Sequence, residues 1–443
     1  MIRRGARSLF ASRQLVHLLL GVALTLGNGT ARAQDPPSGN FRLVAIKFAG
    51  LKKFTDAQGI AGSGLRIGDG VTTTQLSVAA NQLAKSGAFD EVAFQYSTRG
   101  SELTAVFTVV ESKHLLPCVF DNFVWFSYDQ VDKAVRARVP FYAGFAPLSG
   151  ATPQQIIDAL RALLQSNGIT ADVQGIRSGA AGGIPTAMLF RVLGVAMPVK
   201  TVNFPGSSVI SEKELEAAAT QAVGQDFSIS NMSVFASAAL VPLYREKGYL
   251  RAAFDRPQWA VIGNPPAGSS PDIALTLPVK EGSQYFWDKA TWAGNHQLSS
   301  GDLDQALNMK AREVANERKI AAGFEAIKKS YGKFGYIDAG LMPRESIDDT
   351  TRLAAYDVTV NEGLQYHMGH VRFQGISEKA AAEIAKKWAL KQGEIYDATY
   401  PLDFLQKVAM PKLTEMREAK TRTNISEQRN KQNATVDVVI AFQ

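Results

Sequence analysis

The sequence predicts an α+β protein built as a tandem array, each repeat running strand, helix, helix, strand, strand. Two independent landmarks predict it. Val279-Lys-Glu-Gly-Ser-Gln-Tyr runs on to Ala293-Gly294, and Val360-Asn-Glu-Gly-Leu-Gln-Tyr runs on to Gln374-Gly375, so V-x-E-G-x-Q-Y recurs at an offset of 81 residues, with a second glycine twelve residues after the first. The other landmark is a glycine that follows a helical stretch, at Gly87, Gly168, Gly248 and Gly335, with spacings of 81, 80 and 87 residues. A fixed period of this size is the signature of stacked supersecondary units.

Each repeat opens with a strand that closes on a glycine. Leu43 to Phe48 ends at Gly50, and Val199, Thr201, Val202 and Phe204 precede Gly206, itself twelve residues after Gly194. Five residues after Gly50, Gly206 and Gly294 come Thr55, Ser211 and Ser299, each followed three residues later by Gln58, Glu214 or Asp302. That pairing is a capping box: the hydroxyl accepts from a first-turn N–H and the later side chain reaches back. The second helix ends at the second landmark, in its fullest form Tyr244-Arg-Glu-Lys-Gly-Tyr and Tyr331-Gly-Lys-Phe-Gly-Tyr, because glycine carries no Cβ penalty in the left-handed stop. A hydrophobe then opens the next strand: Phe89, Ile169, Tyr249 or Tyr336.

These marks divide the chain into repeats over 41–113, 114–196, 197–282, 283–363 and 364–443. In the first, Leu76, Ala79, Ala80 and Leu83 share one helix face, and Arg99-Gly100-Ser101 turns a hairpin. The second repeat is the most divergent. Its first strand, Val119 to Phe126, lacks the closing glycine, and an aromatic insertion with Phe141, Tyr142 and Phe145 separates its helices. Thr152-Pro153 then reads as a helix cap with proline in the first turn. The third carries Pro242 inside its second helix, where a kink or an opened turn is expected, and Pro411 occupies a similar helix in the fifth. The fourth is the cleanest, with Val314, Ala321, Phe324, Ile327 and Tyr331 as its core stripe.

Composition narrows the function. The net charge of +7 is concentrated at the N-terminus, where Arg3, Arg4, Arg7, Arg13 and Arg32 supply five of the 48 basic residues and no acid accompanies them. Beyond residue 33, 43 bases face 41 acids, which disfavours nucleic acid as a partner. Residues 1–33 read as a secretory signal peptide: arginines, the apolar Leu15 to Leu26, and Ala31-Arg-Ala33 as the cleavage site, with 34–40 as a short leader. The apolar run is too short to span a bilayer, which needs about 20 residues. The chain is therefore expected to be exported and at most peripheral to a membrane. Cys118 is alone, so no internal disulfide forms.

No catalytic constellation, cofactor motif or metal set stands out. His367 and His370 fall on opposite faces of a predicted strand, and Gly179–Gly183 lacks the lysine of a phosphate loop. No enzyme activity is expected.

The β-α-α-β-β unit of about 80 residues with E-G at its joint resembles the polypeptide-transport-associated (POTRA) domain. The resemblance rests on Val279 to Gly294, Val360 to Gly375 and the Tyr244 and Tyr331 phrases, and extends from residue 41 to the end. It implies a three-stranded sheet under two antiparallel helices in each repeat, strung as an elongated arm in the periplasm. Such arms act in outer-membrane protein assembly or two-partner secretion. They receive unfolded outer-membrane proteins or accessory subunits by strand addition to a sheet edge. By this analogy the second strand of each repeat is the edge, with Val92, Phe94 and Tyr96, then Thr170–Gln174, then Leu250, Ala252 and Phe254, then Ile337, Ala339 and Leu341 as partner-binding residues. Phe141, Tyr142 and Phe145 are added as a candidate contact surface, and Glu281, Gly282, Glu362 and Gly363 as joint residues setting the angle between neighbouring domains. Family members continue into a membrane barrel, for which these 443 residues leave no room, so a separate barrel-assembly component is the expected partner. The alternative is a structural adaptor in envelope organisation or cell division that binds one folded partner.

Overall fold

The computed structural model describes residues 39–179, 182–266, 268–418 and 422–443. The signal peptide expected over 1–33, most of the 34–40 leader and part of the Gly179–Gly183 loop lie outside the described residues. The chain divides into two compact units. One runs up to Val202 and includes Ala222–Met232 and Gln258–Leu275, and the other holds Asn203–Gln221, Ser233–Pro257 and Thr276–Gln443.

In the first unit, β1 (Phe41–Ala49), α1 (Asp56–Ser63), β2 (Gly70–Val71), α2 (Thr73–Lys85), β3 (Phe89–Arg99) and β4 (Glu102–Glu111) form the opening group. Its sheet has the order β2-β1-β4-β3, with β1 parallel to β4 and β3 antiparallel to it. Both helices start with the expected capping boxes, Thr55 with Gln58 and Thr72 with Gln75. Leu76, Ala79 and Leu83 of α2 are buried against Leu43, Phe107 and Val109.

The next group comprises β5 (Leu115–Phe120), α3 (Tyr128–Arg136), β6 (Phe145–Pro147), α4 (Thr152–Ser166), β7 (Asp172–Ser178) and β8 (Ala187–Leu193) in the order β6-β5-β8-β7. Its first strand begins at Leu115, four residues before the predicted start, and stops where Asp121 and Asn122 turn inward. The aromatic insertion supplies β6, which pairs with β5. Cys118 is buried, and burial pushes its thiol up to about 12, which leaves it protonated and inert.

The third group comprises β9 (Val199–Asn203), α5 (Glu212–Ala219), α6 (Ile229–Phe235), a π-helical turn (Ala236–Leu240), α7 (Val241–Glu246), β10 (Ala253–Phe254), β11 (Gln258–Val261), β12 (Ile273–Thr276) and β13 (Val279–Lys280). The β11-β12-β9 sheet lies chiefly in the first unit, and the β10–β13 pair in the second. The predicted second strand, Leu250 to Phe254, is cut to the two-residue β10, and Arg256-Pro257 separates it from β11, because proline offers no ladder donor. Leu250 and Ala252 consequently precede the strand and are buried.

The second unit continues with β14 (Phe286–Ala293), α8 (Ser300–Leu307), α9 (Glu317–Gly332), β15 (Gly340–Asp348) and β16 (Leu353–Asn361), ordered β14-β16-β15. The core face of α9 is Ile320, Gly323, Ile327 and Tyr331 rather than the predicted stripe through Ala321, which is exposed. Last come β17 (His367–Gln374), α10 (Glu378–Ala385), α11 (Tyr400–Phe404), a second π-helical turn (Leu405–Ala409), α12 (Met410–Glu415), β18 (Thr423–Asn430) and β19 (Thr435–Phe442), ordered β17-β19-β18.

The two helix prolines share one solution. Pro242 and Pro411 each follow a five-residue π-helical turn and sit in the opening turn of the next helical stretch. A proline removes a donor and crowds the preceding carbonyl, and the wider π turn accommodates both effects without breaking the helix.

Candidate functional site

Two features of the fold are fit to bind protein: the open edges of the sheets and the contacts at which one group meets the next. In all five groups the second strand, or what remains of it, lies at a sheet edge: β3, β7, β11, β15 and β18. An edge strand presents unpaired N–H and C=O groups that an extended peptide can pair with.

The five edges differ. β3 is eleven residues long and has no proline; Val92, Phe94 and Tyr96 are half-buried, Phe94 lying 6.0 Å from the Phe107 ring, while Glu91 and Gln95 are exposed. β15 carries Pro343 in mid-strand and holds Glu345 in an ion pair with Arg245 at 3.1 Å, so that edge is blunted. β11 has only four residues, β7 carries Gly175 in mid-strand, and β18 is polar throughout except for Ile425. The structure moves several predicted edge residues. Leu250 and Ala252 are core, Ile337 and Ala339 lie in the turn before β15, and of that set Leu341 alone is within the strand, with Phe254 kept in the two-residue β10.

The aromatic insertion is not a surface. Phe141 and Tyr142 are buried, 2% and 0% exposed, and Phe145 is half-buried. Phe141 packs edge-on against Phe54 and Phe89 of the first group at 5.6 and 5.0 Å, and the Lys53 ammonium sits 5.0 Å above the Phe145 ring. Tyr142 donates to Asp132, which also pairs with Arg136. Thr152, predicted as a helix cap, is buried and donates from Oγ1 to the Ser86 carbonyl of the first group. Packing between groups has no sequence period, so a linear reading cannot separate these aromatics from exposed ones.

The repeated phrase has two halves that face different ways. Its glutamate turns back on its own group. Glu281 Oε1 accepts from the N–H groups of Ser208 and Val209 at 2.7 and 2.9 Å, and Glu362 Oε1 accepts from His296 and Gln297 at 2.7 and 2.8 Å. Glu111 does the same for Lys52, Lys53 and Phe54, a third copy that the sequence signal missed because no glycine follows it. Burial opposes ionisation of Glu281, yet the Ser208 and Val209 donors hold its carboxyl below the usual range. Glu281 and Glu362 therefore clamp the strand-to-helix loop of their own group. Gly282 and Gly363, at positive φ, lie against Arg251 and Asp338.

The glutamine and tyrosine make the joint instead. Gln284 Nε2 donates to the Lys247 carbonyl and Tyr285 N–H to Gly248, both at 2.8 Å. Gln365 and Tyr366 repeat this on Phe334 and Gly335 at 3.0 and 2.9 Å. The two landmarks of the sequence are thus the two sides of one contact. Tyrosine hydroxyls finish it: Tyr285 donates to Asp349, itself paired with Arg251, and Tyr366 donates to Asp338, paired with Arg429. The Tyr366 hydrogen bond is the largest influence holding the Asp338 carboxyl below its usual range, with Arg429 adding to it.

Between the second and third groups the contact differs. Asp121, fully buried, accepts from the Ser230 N–H at the start of α6 and pairs with Arg191 at 2.8 Å, while its own carbonyl takes the Ile229 N–H. Trp259 Nε1 donates to the Val124 carbonyl and its ring lies 5.2 Å from Phe227. Where the two later joints have Gln-Tyr, this one has Ala196-Met197, and the Met197 N–H goes to the Asp226 carboxylate at 2.7 Å.

Among the described residues no cluster of three metal-binding side chains occurs, and no helix is long and apolar enough to cross a membrane. Residues 285–363 match the family described as POTRA, surface antigen variable number repeat. A putative outer membrane protein assembly factor from Treponema pallidum (strain Nichols) is 24% identical over 233 residues, covering 51% of this chain and 27% of that protein. The chain thus matches about a quarter of this relative's length. Among solved structures, BamA POTRA3-5 from Haemophilus influenzae is 19% identical with a TM-score of 0.40, covering 56% of this chain and 96% of that one. POTRA1-3 of the periplasmic domain of Omp85 from Anabaena is 16% identical with a TM-score of 0.25, covering 55% and 94%.

Proposed function

We propose that this chain is a non-enzymatic, periplasmic protein-binding arm that acts in outer-membrane protein assembly or secretion. Its five sheet-and-helix groups are read as five POTRA-like domains, with bounds 41–113, 114–196, 197–282, 283–363 and 364–443. It takes up extended polypeptide, an unfolded outer-membrane protein or a segment of a barrel-assembly component, by strand addition. The observation that carries this reading is the placement of the second strand at a sheet edge in every group. The POTRA match over 285–363 and the similarity to an outer membrane protein assembly factor support the setting.

Edge quality assigns the work unequally. β3 is the principal receiving edge, because it is the longest, lacks proline and has half-buried aromatics behind it. β15, with Pro343 and the Arg245–Glu345 pair, is a guarded edge. In-cell photo-crosslinking from Gln95 on β3 and Met342 on β15 tests this. Adducts with several nascent outer-membrane proteins are expected from Gln95, and few from Met342. One discrete folded partner would favour the structural adaptor in envelope organisation. The absence of adducts at every edge strand would overturn strand addition.

A further inference from the structure

The outer edge of β3 is complementary to its own reverse. β3 closes its sheet, holds no proline and keeps an unbroken register against β4 from Glu91 to Arg99. Val92, Phe94 and Tyr96 pack against the core under the helices, while Glu91, Gln95, Ser97 and Arg99 are exposed. An edge usually carries a proline, a bulge or an inward charge against pairing, and between Glu91 and Arg99 this one carries none of them. Glu91 and Arg99 have no ion pair among the described residues, and Arg99 faces Glu102 across its own hairpin without a salt bridge.

A two-fold axis sets a strand against its own reverse, so that residue i of one copy meets j of the other and j meets i. Two conditions choose the register. Side chains alternate along a strand, so the half-buried ones of both copies share a face only if the axis passes through a residue. The opposite charges must also meet, and an axis at Gln95 sets Glu91 opposite Arg99. The same register sets Phe94 opposite Tyr96 and Val92 opposite Thr98 on the inner face, with Gln95 opposite itself on the outer one. Aromatic pairs and opposite charges directly across a ladder are both favourable, and symmetry repeats each of them.

We infer that a second copy of this chain docks on β3, antiparallel about Gln95, and joins two four-stranded sheets into one. The inference rests on the open β3 edge and not on the capture of a client, and it adds a control to that edge. While two copies are paired, neither receives another strand. A single ladder from Glu91 to Arg99 falls short of the roughly 1,200 Å² of a stable interface, so the pair is reversible and incoming polypeptide competes with it.

Sedimentation velocity on the full chain tests the pairing. A concentration-dependent monomer–dimer equilibrium is expected, weakened about tenfold by Glu91→Arg or by Arg99→Glu, each of which brings like charges together. Combining the two reversals restores the opposite pairing and is expected to return the equilibrium to within about threefold of wild type. Gln95→Cys is expected to give a disulfide-linked dimer under mild oxidation, because the residue on the axis meets itself, and Met342→Cys on β15 is not. Cys118 is buried and does not contribute. Glu91, Gln95 and Arg99 are exposed, so these variants keep the fold. A single monomeric species up to about 1 mM chain would overturn the pairing. So would a double reversal as weak as the single ones, or a disulfide no more frequent at Gln95 than at Met342. A monomer whose Gln95 probe still captures nascent outer-membrane proteins would remove the pairing and leave strand addition standing.

Discussion

The contact at Gly335 and the ground around Gly168 begin from the same local sequence logic, a long helix stopped by a left-handed glycine, and end in opposite states. At Gly335 the following group presses its Gln365-Tyr366 onto the helix end, and a Cβ added to the glycine would stand 2.5 Å from the Tyr366 carbonyl oxygen. At Gly168 the glycine is exposed, and the next group is held from elsewhere, through Asp121 and Trp259. The repeat therefore carries two separable instructions. One stops the helix, which needs glycine only for its backbone angle; the other seats a neighbour, which needs glycine because nothing larger fits.

Alanine separates those instructions. Gly335→Ala combines the left-handed penalty of about 1–2 kcal/mol with a steric clash against the next group. A combined loss of about 3 kcal/mol is expected, seen as faster amide exchange through residues 366–374. Gly168 is exposed and carries the left-handed backbone penalty, so Gly168→Ala is expected to cost about 1 kcal/mol, read at the end of α4. Equal losses at the two positions would erase the distinction between a buried and an exposed helix stop.

The substitute joint is expected to depend on one carboxylate. Asp121→Ala strips the Ser230 N–H and Arg191 of their buried partner, and charge-assisted hydrogen bonds of this kind contribute about 1.5–3 kcal/mol. Arg191 is partly exposed and can turn to water, which places the expected loss near 2 kcal/mol. Hydrogen exchange at Ile229 to Met232 reads it directly. Wild-type protection there in the variant would mean that Trp259 and Phe227 alone hold the contact.

Repetition made the strand and helix pattern legible, because capping hydroxyls, closing glycines and helix stops act locally and survive as spacing. Thr55, Ser211 and Ser299 cap the helices they were expected to cap. What the linear chain concealed was direction. Glu281 and Tyr285 sit four residues apart in one phrase, yet the first bonds within its own group and the second reaches the previous one, and no spacing encodes that difference. Phe141 was hidden for a related reason: it is buried against the neighbouring group's Phe54 and Phe89, where neither a helical nor a strand period applies, while Tyr142 is buried in its own group against Phe120 and Asp132. The break in the third group's edge strand did have a signal. Pro257 stands where a ladder donor was needed, and it outweighs the alternating hydrophobes before it.

Acid tests the joint at Gly335 through a single carboxylate. Asp338 is held below its usual pKa by the Tyr366 hydroxyl and by Arg429, so its folded value lies under its unfolded one. The stability it contributes is complete above the unfolded value, near pH 4, and is lost as pH falls through the depressed folded value. Exchange protection at Tyr366 to Met368 is therefore expected to be flat from neutral pH to about pH 5 and to decline below about pH 4. In Asp338→Asn this acid-dependent part should be absent. A decline between pH 5 and 7 would point to another group.

The smallest effect is the most diagnostic of how the phrase works. Gln365→Ala removes a single hydrogen bond, from Nε2 to the Phe334 carbonyl, at an exposed position where water can replace it. A loss of about 0.5–1 kcal/mol is expected on that account. The tyrosine N–H bond to Gly335 and the hydroxyl bond to Asp338 remain, so the joint should loosen without opening: protection at Tyr366 drops only a few-fold and the acid-dependent step stays in place. Combined with Asp338→Asn, the losses should fall short of their sum, because both side chains hold the same short segment and losing either one already weakens the other's contact. Strict additivity would instead make the glutamine and the tyrosine independent tethers, and the recurrence of the pair at an 81-residue interval would need a reason other than their cooperation at the joint.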